Sequence, residues 1–190
     1  MTLHKGKVRM NSYDHVEGTP YVDTGINLCR LSNGLRCMGC CGFDFAPKSA
    51  RKNHFITALQ ESTKEFKQYD DKLEYKKRYD PEDLHDCGLC RQMVLEEGDD
   101  ELSFNKLFTK KHLKFTCPLH PAQNDGKELR IGECDPAFMC QTQRMFLEEW
   151  SDWMKEKFIA FIEAKDPDWY TYSKNMHNNT FLKEFYEYLE

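Results

Sequence analysis

The sequence predicts a mainly helical α+β fold, and three features carry that expectation. Apolar residues recur at helical spacing over about 49–79, 137–164 and 179–189. A hairpin signal, Asn33-Gly34, separates two brief runs near the start. Eight of the nine cysteines fall into four tight groups, so a small hairpin-and-loop core with long flanking helices is expected. Only 39% of the residues are hydrophobic while 13% are aromatic, so rings must do much of the packing that aliphatic side chains do elsewhere.

Residues 1–27 are polar, with Gly18-Thr19-Pro20 and Thr24-Gly25 as turn signals, and read as irregular. Leu28–Ser32 and Leu35–Cys37 then flank Asn33-Gly34, the residues of a two-residue type I′ turn. That register sets Arg30 opposite Cys37 and Cys29 opposite Met38. Strand alternation then puts Cys29 and Cys37 on opposite faces, which marks Cys29 as a non-ligand. After Pro47, with Ser49 as candidate N-cap, a helix is expected to about Tyr79. Phe55, Leu59, Phe66, Tyr69 and Leu73 form its core-facing stripe, and Asp80-Pro81 ends it.

Residues 84–140 are rich in cysteine and interrupted by Gly98-Asp99-Asp100, Pro118, Pro121 and Asn124-Asp125-Gly126, so loops dominate, with one short helix at about 103–114. From Ala137 to Ala164, Phe138, Phe146, Trp150, Trp153, Phe158 and Phe161 make a wide apolar face. Asp166-Pro167 breaks it before a last helix over 179–189. The expected organisation is a cysteine-rich metal-binding domain over 1–145, with an inserted helix at 47–79, and aromatic-rich C-terminal helices over 146–190 packing on it.

Metal is expected because a two-residue gap between cysteines lets a tight turn aim both sulfurs at one ion. Cys37-x2-Cys40 and Cys87-x2-Cys90 have that gap, and Cys117-x2-His120 has it with a histidine. Cys87, Cys90, Cys117 and His120 together would make a Cys3His zinc set. Cys37, Cys40, Cys41, Cys134 and Cys140 remain, more sulfurs than one ion needs, which leaves open a cluster, a shared site or a bystander thiol. Zinc is the expected cofactor and a 4Fe-4S cluster the alternative. A structural zinc contributes on the order of 10 kcal/mol, which would matter in a chain with so few aliphatic residues.

Cys37-x2-Cys40-Cys41, then Cys117-Pro118, then Cys134 and Cys140 resembles the YkgJ-type cysteine-cluster proteins, a zinc- or iron-chelating family. The resemblance spans roughly 35–145 and implies that Cys37, Cys40, Cys41, Cys117, Cys134 and Cys140 are ligands. Proteins similar to that family include a flagellin lysine methylase whose cysteines carry an iron–sulfur cluster. Cys87 and Cys90 are additional to the pattern, and the last pair lacks the family's Arg-Pro.

A net charge of −5 argues against sequence-independent nucleic-acid binding. No stretch approaches the ~18 consecutive apolar residues of a membrane span, and the first residues carry no export signature. A cytoplasmic location follows as an expectation, since thiols there are kept reduced for metal rather than paired. Phosphate loops, nucleophile elbows and His-Glu-x2-His helices are absent from the sequence. Three functions remain: a zinc-stabilised adaptor for a protein partner, an iron–sulfur protein with redox or protein-modifying activity, and a zinc protein that binds nucleic acid. Nothing in the sequence sets the oligomeric state or decides whether the chain is an enzyme.

Overall fold

The computed structural model describes residues 27–41, 49–80 and 83–190. The irregular segment expected before the hairpin falls outside these residues except for Asn27, as do Pro47 and Pro81. The described chain is mainly helical with one small antiparallel sheet. In order, its elements are α1 (Lys52–Phe66), α2 (Lys72–Lys76), β1 (Val94–Leu95), α3 (Phe104–Thr109), β2 (Phe115–Thr116), α4 (Gln141–Arg144), α5 (Asp152–Lys165), α6 (Trp169–His177) and α7 (Thr180–Leu189). A single π-helical turn, Met145–Glu149, extends α4.

The hairpin forms, but one residue out of the expected register. Leu31 N–H donates to Leu35 O at 2.9 Å, Arg30 pairs with Arg36, and Cys37 N–H reaches Cys29 O at 3.0 Å. The loop therefore holds three residues, Ser32-Asn33-Gly34. Gly34 takes the left-handed conformation (φ +86°), and the Asn33 side chain accepts the Leu35 amide. Moving the register by one exchanges faces, so Cys29 stands opposite Cys37. The facing arginines both bond the Glu96 carboxylate, which offsets their repulsion, and Arg36 also donates to Phe115 O at 2.9 Å. These bonds fasten the hairpin to the sheet.

The long helix expected over 47–79 is broken. Helix α1 ends at Phe66, and Asp71 caps a new helix by accepting the Leu73 amide at 2.7 Å. Phe55 and Leu59 are fully buried as expected, whereas Tyr69 and Leu73, past the break, are exposed. The stretch 137–164 is also divided. Trp150 and Ser151 are extended, and Ser151 Oγ accepts the Met154 amide to start α5. Phe138 and Trp153 consequently face outward.

Helix α6 lies in a stretch that the sequence reading left unassigned. Asp168 caps it, accepting the Thr171 amide at 2.8 Å and pairing with Lys52 of α1 at 2.6 Å.

Two apolar clusters form the core. The first joins Phe55, Ile56 and Leu59 of α1 to Leu89, Met93, Leu95, Leu113, Phe115 and Trp169. The second joins Leu28, Leu31 and Leu35 of the hairpin to Phe146, Trp150, Phe158, Phe161, Tyr172, Met176, Phe181 and Phe185. Helix α6 belongs to both, with Trp169 in one and Tyr172 and Met176, on the following turns, in the other. The segment 37–41 does the same, because Met38 packs in the first cluster and Cys37 and Cys40 pack against the second. Among the described residues, no helix is long and apolar enough to cross a membrane.

Candidate functional site

The cysteines gather around the segment 37–41, where the two clusters meet. Cys41 N–H closes a turn on Met38 O at 2.9 Å, and Gly39 N–H points at the Cys37 sulfur at 3.3 Å. The same local contact, an amide two residues on donating to the sulfur, recurs at Cys90 from Gln92, at Cys117 from Leu119 and at Cys140 from Thr142. Such turns aim a sulfur outward and present a donor that favours its thiolate.

Packing sorts the sulfurs into two groups. Cys41, Cys90 and Cys117 lie against the first cluster, whereas Cys37, Cys40 and Cys140 lie against the second. Electrostatic neighbours extend these sets, although adjacent Cys40 and Cys41 also feel each other across them. Cys41 feels Cys90, Cys117 and Cys134 as well as Cys40. Cys37 feels Cys40 and Cys140, and Cys40 has Cys140 and Cys29 as electrostatic neighbours. One group is thus Cys29, Cys37, Cys40 and Cys140, and the other is Cys41, Cys90, Cys117 and Cys134. Adjacent Cys40 and Cys41 serve different groups, which accounts for a doublet that could not easily face one point.

Burial raises these thiols. It pushes Cys117 up to about 12 and Cys134 up to about 11, with Cys90 adding to both. It also raises Cys37 and Cys41, where neighbouring sulfurs add to the effect. Without a cation these groups are neutral thiols. Among the described residues, no group of three or more Cys, His, Asp or Glu side chains is disposed to hold a metal ion as it stands.

Cys87 and His120 have other neighbours. Cys87 is buried in the first cluster, accepts the Leu89 amide, and has Asp86 and Glu61 as its nearby charges. His120 Nδ1 accepts the Ala122 amide at 3.1 Å, capping the turn Pro121–Gln123, and burial with nearby Arg130 lowers its affinity for a proton. Cys87 nevertheless shares the first cluster with Cys90 and Cys117, and the His120 amide bonds Cys117 O at 3.0 Å.

Helix α6 supports the group around Cys37. Ser173 Oγ accepts the Met38 amide at 3.1 Å and bonds the Cys37 sulfur. One turn later His177 Nδ1 meets Gly39 O at 2.7 Å. Tyr172 donates to Leu28 O at 2.8 Å. This close approach needs a glycine at 39, since an added Cβ would lie 2.7 Å from Ser173 O and 3.1 Å from His177 Cβ. Gly39→Ala is therefore expected to destabilise the fold by about 1–3 kcal/mol by pushing α6 off the segment 37–41. Urea unfolding measures this, and a change within about 0.5 kcal/mol would show that α6 docks elsewhere.

Sequence reasoning set Cys29 on the face opposite Cys37 and left the α6 residues unassigned. For Cys29 the available signal was the alternative three-residue loop, which Ser32-Asn33-Gly34 also satisfies. For α6 it was Asp168 as an N-cap directly before an apolar-periodic run from Trp169 to Met176.

Compared with protein-family models, curated proteins and solved structures, the chain gives no match in any of the three.

Proposed function

We propose that this chain is a zinc-stabilised binding module whose eight grouped thiols make two four-cysteine sites. The outer site is Cys29, Cys37, Cys40 and Cys140. The inner site is Cys41, Cys90, Cys117 and Cys134, all lying in sequence between Cys40 and Cys140. One observation carries the reading: Cys41, Cys90 and Cys117 pack against one apolar cluster and Cys37, Cys40 and Cys140 against the other, with Cys134 an electrostatic neighbour of Cys41 and Cys29 of Cys40. Four sulfurs without histidine or carboxylate suit tetrahedral zinc, and the amides directed at them favour thiolates. The donor chemistry fits the ion, while the spacing requires the sulfurs to close as the ion enters. Bound zinc would supply the charge that four buried thiolates need.

Full sulfur coordination leaves no open position for a substrate, which favours a protein-binding module over a zinc enzyme. Reduced thiols suit the cytoplasm. A second reading, an iron–sulfur protein, is favoured by the hydrogen bonds that Ser173, Gly39, Thr142 and Gln143 direct at the outer sulfurs, since such bonds tune clusters. It also keeps the resemblance to YkgJ-type proteins as a proposal.

Purification without oxygen, followed by metal analysis and a visible spectrum, tests both. Colourless protein with two zinc ions per chain is expected. Brown protein with iron and acid-labile sulfide would select the second reading, and metal-free protein would sink both.

A further inference from the structure

We infer that the cleft between α5 and α7 docks a basic segment of a partner protein, taking an arginine side chain against Tyr188 and Glu187. This rests on the reading above only in treating the chain as a protein-binding module, and no metal enters it.

The cleft is open and holds about 400 Å³, with Phe161, Ala164 and Lys165 of α5 on one side and Glu184, Glu187 and Tyr188 of α7 on the other. Helical spacing accounts for this lining. Residues 161, 164 and 165 stand three and four apart, as do 184, 187 and 188, so each set shares one face of its helix. The two ring centroids lie 5.7 Å apart, with Phe161 buried and Tyr188 61% exposed.

Half of the cleft already holds a cation, supplied by the chain itself. Lys165 Nζ sits 5.1 Å from the centre of the Phe161 ring and 2.7 Å from the Glu184 carboxylate. A ring face and a carboxylate together attract a cation, one through its quadrupole and the other through its charge. Tyr188 and Glu187 repeat that combination one turn further along α7. Among the described residues, however, no cation lies over Tyr188, and Glu187 forms no ion pair, even with Lys183 one turn earlier.

The second half of the cleft therefore suits a cation from outside. Arginine fits better than lysine, because its planar guanidinium stacks on a ring while its N–H groups fork onto a carboxylate. The surroundings favour the same partner. The chain carries a net charge of −5, and exposed Glu190 follows Glu187 at the end of α7. Such a surface draws a basic segment and repels an anionic one.

Nuclear magnetic resonance of the full chain, titrated with an arginine–glycine repeat peptide at physiological salt, reads the docking residue by residue. Shifts centred on Ala164, Glu187 and Tyr188 are expected. Tyr188→Ala and Glu187→Gln should each weaken binding at least about threefold. Glu156→Gln removes an exposed carboxylate of α5 that does not line the cleft, and should leave binding within about 1.5-fold. The same peptide with citrulline in place of arginine keeps the planar group without its charge, and should not bind. Shifts spread over the rest of the acidic surface, equal losses for all three variants, equal binding of the citrulline peptide, or no binding would each overturn the inference. Docking at the cleft by protein that proves metal-free would instead sink the zinc reading and leave this inference standing, which keeps the two failures distinct.

Discussion

Replacing Cys117 with serine is expected to reduce bound zinc from two ions per chain to at most one and to lower the thermal midpoint by more than about 10 °C. Cys117 lies among Cys41, Cys90 and Cys134, between β2 and the turn Pro121–Gln123. A structural zinc contributes on the order of 10 kcal/mol, far more than one side chain, so losing a site outweighs any packing change from sulfur to oxygen. Two companions make the test specific to the grouping. Cys29→Ser is expected to cost an ion, although a two-residue hairpin turn would set Cys29 on the wrong face. Cys87→Ser is expected to keep both ions, although Cys87-x2-Cys90 has ligand spacing. If Cys87→Ser loses zinc and Cys29→Ser does not, the four-and-four division is wrong.

Phe185→Ala is expected to cost about 3–5 kcal/mol. Its ring is fully buried, with centroids 5.3 Å from Trp150, 5.1 Å from Phe158 and 5.6 Å from Phe161. It therefore joins α7 to α5 and to the bend before α5. Truncation would leave a cavity whose walls are rigid rings from separate elements, so the site cannot readily collapse. Tyr188 is the control, being 61% exposed although its ring lies 5.7 Å from Phe161. Tyr188→Ala should stay within about 1 kcal/mol. Similar losses for the two variants in urea unfolding would show that the aromatic cluster does not hold the C-terminal helices together.

Much of this arrangement is legible in the residues. The mainly helical class, the hairpin at 28–37, the short helix after Ser103 and the last helix follow from local periodicity and turn signals. The failures have local causes. Asn33-Gly34 suits a two-residue turn, but the three-residue loop lets Leu31 and Leu35 pair with both side chains buried, and that burial sets the register. Asp71 and Ser151 each outcompete a continuous helix by capping a new one, although periodicity runs through both. The grouping of sulfurs was not legible, because it depends on which core cluster each turn packs against. Equal spacing in Cys37-x2-Cys40 and Cys87-x2-Cys90 hides that Cys87 is drawn into the core beneath α1 while Cys40 meets Cys140.

X-ray absorption at the zinc edge tests the central claim most directly. For protein purified under reducing conditions, the account predicts four sulfur neighbours at about 2.3 Å around every zinc, with no nitrogen or oxygen in the inner shell. A mixed shell with one nitrogen at about 2.0 Å would contradict the all-cysteine sites and restore His120 as a ligand.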